Sequence, residues 1–173
     1  KLVGRTILAS GRMDEVVEAC FQVLGEEGVA ATAADPELIA AVSHPPHNEG
    51  HIRKHTAQSR AAQVLSIVCM DAKYAPRIRG VLEKVRADAA SETRAWCCFM
   101  LARCLGRLGD AGSIDLLIDM LENGPTEESL GKNPPPTHIV YQAWRPFHRP
   151  AATWSLGEIG AKQAVPVLMA TGQ

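Results

Sequence analysis

The sequence predicts an all-α fold, a right-handed α-α superhelix (a solenoid) of about four stacked helix pairs with two loop insertions. Three observations predict it. The phrase Cys104-Leu105-Gly106-Arg107-Leu108-Gly109-Asp110 returns as Ser155-Leu156-Gly157-Glu158-Ile159-Gly160-Ala161, and such self-similarity marks a repeat architecture. A second apolar run follows each phrase at the same distance, Ile114, Leu117 and Leu121 after Leu105, and Val165 and Leu168 after Leu156. The composition is 46% hydrophobic but only 5% aromatic, which suits helices packed through Leu, Val and Ala, and no alternating strand pattern competes.

Along the chain, a first copy sets Leu8 in the place of Leu105 and Val17 in its second run, with Gly11 as punctuation. The second copy uses residues 60–68, with Leu65 in that place, and residues 74–82. In the third, residues 93–108 carry Trp96, Phe99, Met100, Cys104, Leu105 and Leu108 at spacings of three and four, one face of a helix. Ser91 is its N-cap candidate, and Gly109 is suited to the left-handed residue that ends it. Residues 110–122 repeat the helical pattern and stop at Asn123-Gly124-Pro125. The fourth copy spans residues 149–160 and 164–168. Helices joined by so short a turn lie antiparallel, and one pair cannot bury its apolar face alone, so neighbouring pairs stack. The basic unit is about 40 residues long, and two units are lengthened by the insertions.

The fourth copy, Arg149-Pro150-Ala151-Ala152-Thr153-Trp154-Ser155-Leu156-Gly157-Glu158-Ile159-Gly160 and then Ala164-Val165-Pro166-Val167-Leu168, resembles the bacterial HEAT-like repeat also found in phycobilin lyases. That repeat reads Arg, Ala-Ala, Leu-Gly-x-Ile-Gly and then Ala-Val-Pro-x-Leu. The third copy resembles it well and the first two are degenerate, so the resemblance covers roughly two thirds of the chain. It implies the helix-pair solenoid. For function it implies a range: scaffolds, chromophore-attachment factors, a metal-dependent hydroxylase and nucleic-acid enzymes. The hydroxylases of this kind carry repeated His-Glu pairs, and no adjacent His-Glu pair occurs in this sequence. The reading adopted is a protein-interaction or scaffolding module without catalysis or cofactor, its partner another protein or another domain of the same chain. The alternative is an enzyme or accessory factor of the chromophore-lyase kind.

Length and charge narrow these readings. Residues 1–173 form one domain with a sizeable core. The chain starts at Lys1 inside an apolar run and ends at Gln173 without a polar capping repeat, so a fragment of a longer protein is expected. Its apolar stretches are too short to span a bilayer. Eighteen Lys and Arg stand against 19 Asp and Glu, with a pI near 6.7, and nucleic acid as a partner is set aside for want of a basic excess. Arginines near helix starts are read instead as bridges to the neighbouring repeat. Cys20, Cys69, Cys97, Cys98 and Cys104 sit mostly within helical patterns without a Cys-x-x-Cys pair. They are read as buried thiols, which favours the cytoplasm. No nucleophile elbow and no phosphate-cradling Gly-rich loop occurs.

The two insertions are where a site is expected, because loops on a rigid scaffold carry most binding chemistry. The first covers residues 25–50. Asp35-Pro36-Glu37 opens a short helix there, with Asp35 as N-cap candidate, and the helix ends near Ser43 before Pro45-Pro46. The segment from His44 to His55 holds four of the six histidines. His51 and His55 share one helical face, and with His47 they are the metal-site candidates. Arg53 and Lys54 would repel a cation there, and the preferred reading is a solvated loop. The second insertion covers residues 123–146 and includes Pro134-Pro135-Pro136, which must be extended. Tyr141, Trp144, Arg145 and His148 follow as candidates for partner binding; the competing reading packs the aromatics back onto the helices.

Overall fold

A computed structural model describes residues 19, 21–24, 26, 34–43, 57–87, 92–124 and 148–171. Every element among them is helical: α1 (Asp35–Ser43), α2 (Ala57–Val68), α3 (Ala75–Ala87), α4 (Glu92–Arg107), α5 (Ile114–Asn123), α6 (His148–Ile159) and α7 (Val165–Thr171). Short 3-10 turns at Ala72–Tyr74, Ala111–Ser113 and Lys162–Ala164 join α2 to α3, α4 to α5 and α6 to α7. The chain is thus a succession of helix pairs, with α1 packed on α2 and α3.

The recurring phrase is the connector of the last two pairs, α4–α5 and α6–α7. Gly109 and Gly160 have φ of 65° and 71°, the left-handed conformation that glycine adopts without steric cost. In the third copy Asp110 N–H donates to Leu105 O (3.1 Å) and Gly109 N–H to Gly106 O (3.0 Å). In the fourth, Ala161 N–H donates to Leu156 O (3.0 Å) and Gly160 N–H to Gly157 O (3.0 Å). Both are the paired bonds of a Schellman ending, which satisfy carbonyls the helix leaves open. The second helix of the third copy starts at Ile114 rather than Asp110. The turn before it is held by Ser113 N–H donating to Asp110 O (2.9 Å) and by the Ser113 hydroxyl on the Asp110 carboxylate.

The first helices α2, α4 and α6 stack in a row, and the second helices α3 and α5 pack against the next first helix, α4 and α6. Leu65, Leu105 and Leu156, equivalent by repeat, are all fully buried. Helix α4 is covered on two sides, by α2 and α3 and by α6, which buries Cys97 and Cys98 together although they point to different sides. The apolar face expected for α4 is narrower than the one found. Leu101 and Ala102 are also buried, whereas Trp96 and Phe99 are half-buried, stacked at 5.4 Å. The Arg103 guanidinium lies 5.7 Å from the Phe99 ring and 4.6 Å from the Trp154 ring.

Arginines bridge the pairs, but only Arg149 does so from the start of a first helix. Arg79 of α3 meets Asp110 at 3.3 Å, Arg107 of α4 donates to Ser66 O and to Ile67 O (3.2 Å) on α2, and Arg149 of α6 donates to Glu122 O of α5 (3.3 Å). Among the described residues no helix is long and apolar enough to cross a membrane.

Candidate functional site

A cleft of about 600 Å³ opens where α3, α5 and the start of α6 meet. Its walls are Glu83, Arg86 and Ala87 near the end of α3 and Leu116, Asp119 and Asn123 on α5; His148, the first residue of α6, completes it. Helical spacing explains the walls: Glu83, Arg86 and Ala87 recur three and four residues apart, as do Leu116, Asp119 and Asn123, so each set is one stripe.

Polar groups on the two stripes are joined. Arg86 forms an ion pair with Asp119, and Asn123 Nδ2 donates to Asp119 Oδ1 at 2.6 Å. Arg86 and then Asn123 hold the Asp119 carboxyl below its ordinary range. So exposed a pair contributes about 1 kcal/mol at most; its main effect is to hold the guanidinium in place.

His148 differs. It is 1% exposed, and neither ring nitrogen has a hydrogen-bond partner. Burial, helped by the nearby Arg86 charge, lowers its pKa, so the ring is neutral at pH 7. One nitrogen is then a donor and the other an acceptor, both uncommitted. A buried polar group without a partner costs stability, and both nitrogens lie below the surface of the cleft.

A second polar cluster lies inside the fold. Asp35 is 0% exposed, and neither carboxylate oxygen has a hydrogen-bond partner. Asp35 is the first residue of α1 and does not cap it, because its carboxyl turns inward to the Cys69 thiol. Burial raises its pKa to about 6, with the neighbouring Cys69 thiol opposing and the Asp71 charge adding. The Cys69 thiol is pushed up by its bond to Cys104, by burial and by Asp35. It stays protonated.

Of the candidates named from sequence, His148 lies in the cleft. His47, His51, His55, Tyr141, Trp144 and Arg145 lie outside the described residues, and among the described residues no group of three or more His, Cys, Asp or Glu could hold a metal. Sequence reasoning missed Glu83, Arg86, Asp119 and Asn123. The one available signal was that Arg86 and Asp119 each lie on the second helix of adjoining copies.

Residues 149–171, which cover α7 and all of α6 after His148, match the family model of the PBS lyase HEAT-like repeat. No curated protein and no solved structure matches the chain.

Proposed function

We propose that this chain, a HEAT-like repeat protein, is a protein-interaction module whose helix pairs wind into a right-handed superhelix and hold a partner polypeptide at the cleft between α3 and α5. One observation carries the reading: the cleft presents the Arg86 guanidinium, held in place by Asp119, between exposed Glu83 and Asn123. Such a cleft suits a polar side chain or a peptide group, with Leu116 and Ala87 taking its apolar part. Tyr141, Trp144 and Arg145, which lead in sequence to His148, are assigned to the same partner. The chromophore-lyase alternative has only the description of the repeat behind it.

The test places a photo-crosslinking amino acid at exposed Ala87 and irradiates the protein in extract of its source cells. The expected result is one discrete polypeptide adduct that disappears when exposed Glu83 is changed to Arg. No adduct, or one indifferent to Glu83→Arg, would remove the cleft as the binding site.

A further inference from the structure

The guanidinium of Arg103 on α4 is held by two aromatic rings, Phe99 one turn earlier on its own helix (5.7 Å) and Trp154 on α6 (4.6 Å). Attraction to the ring faces fixes the planar fork without using any of its five N–H donors. Among the described residues no carboxylate pairs with Arg103, and none of its nitrogens is buried without a partner, so the donors reach solvent. The arrangement is not a property of the repeat. The places of Phe99 and Arg103 are taken by Ser59 and Gln63 in the second copy and by Pro150 and Trp154 in the fourth.

Arg79 and Arg86, by contrast, spend their charge on Asp110 and Asp119. Arg107, one turn beyond Arg103, donates to two carbonyls in the last turn of α2 and to Met70 Sδ (2.9 Å), neutral partners that leave its charge without a counterion. Trp96, Phe99, Arg103 and Arg107 recur three and four residues apart and are all partly exposed, so they form one stripe of α4. Ile67 (42% exposed) and Met70 (48%) extend apolar surface from its Arg107 end. Glu158, one turn beyond Trp154, makes no ion pair with either arginine among the described residues. Two cations without counterions thus lie on apolar ground, in a chain whose net charge is −1.

We infer that this stripe is a docking surface for an acidic, apolar polypeptide segment, which seats a carboxylate on the Arg103 fork and lays apolar side chains on Trp96, Ile67 and Met70. Charge complementarity selects the occupant. A guanidinium fixed in one plane matches a carboxylate bidentately, and the charge of Arg107 adds to the attraction. A nucleic-acid backbone would call for a run of cations, yet α2, α4 and α6 contain no lysine. The stripe shares no residue with the cleft between α3 and α5, so the two surfaces stand or fall separately.

The probe is a fluorescent octapeptide of alternating Glu and Leu, titrated with the full chain at low ionic strength and followed by anisotropy. Saturable binding is expected, weakened about tenfold by Arg103→Gln and by replacing every Glu of the peptide with Gln. Arg103→Lys, which keeps the charge but not the fork, should weaken it as well. Arg77→Gln, at an exposed arginine of α3, and Glu83→Arg, in the cleft, should bind like the parent. On the parent protein the peptide should also shield Arg103 from phenylglyoxal while Arg77 still reacts, a readout by mass spectrometry that needs no variant to fold. Absent binding, binding indifferent to Arg103→Gln or Arg103→Lys, or an unshielded Arg103 overturns the assignment. Tighter binding of an oligothymidylate of equal charge, lost with Arg103→Gln, overturns it too, by making nucleic acid the occupant.

Discussion

Gly106 and Ser155 meet with so little space that a Cβ on the glycine would come within 2.7 Å of the serine Cα. The two first helices α4 and α6 are held together at this contact. Gly106→Ala should therefore destabilise by about 1–3 kcal/mol through overpacking, outweighing the gain of up to about 1 kcal/mol that alanine brings to a helix interior. Gly157→Ala should instead be neutral or raise the melting temperature. Thermal unfolding of the two variants side by side checks both; equal shifts would show that Gly106 is not a packing contact.

Leu105 is fully buried between its neighbours. Leu105→Ala should cost about 2–5 kcal/mol, the transfer loss plus the cavity left behind. Chemical denaturation measures it, and a midpoint equal to that of the parent would contradict the shared core.

Asp35 sets a pH dependence. Its folded-state pKa of about 6 lies above the unfolded value near 3.8, so its contribution is fully present below pH 3.8 and is lost as pH rises through about 6. The difference corresponds to about 3 kcal/mol. Asp35→Asn, which carries no charge, should be the more stable form at pH 7 and should flatten the stability profile between pH 4 and pH 6. Urea unfolding across that range decides it.

His148 acts in the opposite sense. Its folded-state pKa is depressed from 6.5, so its contribution is present above that pH and is lost as pH falls below it. Its imidazole resonances should still report the neutral ring at pH 6.5 in a titration followed by NMR. Half-protonation at or above pH 6.5 would mean that the ring is not buried as described.

The connectors were legible in sequence because their chemistry is local. A Schellman ending needs a residue with positive φ, and glycine at 109 and 160 announces it; an apolar face needs spacings of three and four, which Ile114, Leu117 and Leu121 display. Boundaries were less legible: α5 starts at Ile114, since Ser113 and Asp110 close a 3-10 turn that periodicity does not reveal.

What the sequence by itself determined is therefore the unit: a helix pair, its glycine connector, the leucines that face its neighbours, and their repetition along the chain. Only the tertiary structure decided what the units bring together. Asp35 of α1 meets Cys69, just past the end of α2, which in turn meets Cys104 of α4, and Arg86, Asp119 and His148 converge from three helices. Gly106 is filled while Gly157 is open, though each sits in the same local phrase. The physical reason is range. Backbone hydrogen bonding and apolar periodicity act within a few residues and leave their mark in local spacing, whereas burial of a carboxyl, loss of an imidazole's partners and the filling of a socket depend on which distant surface covers the group.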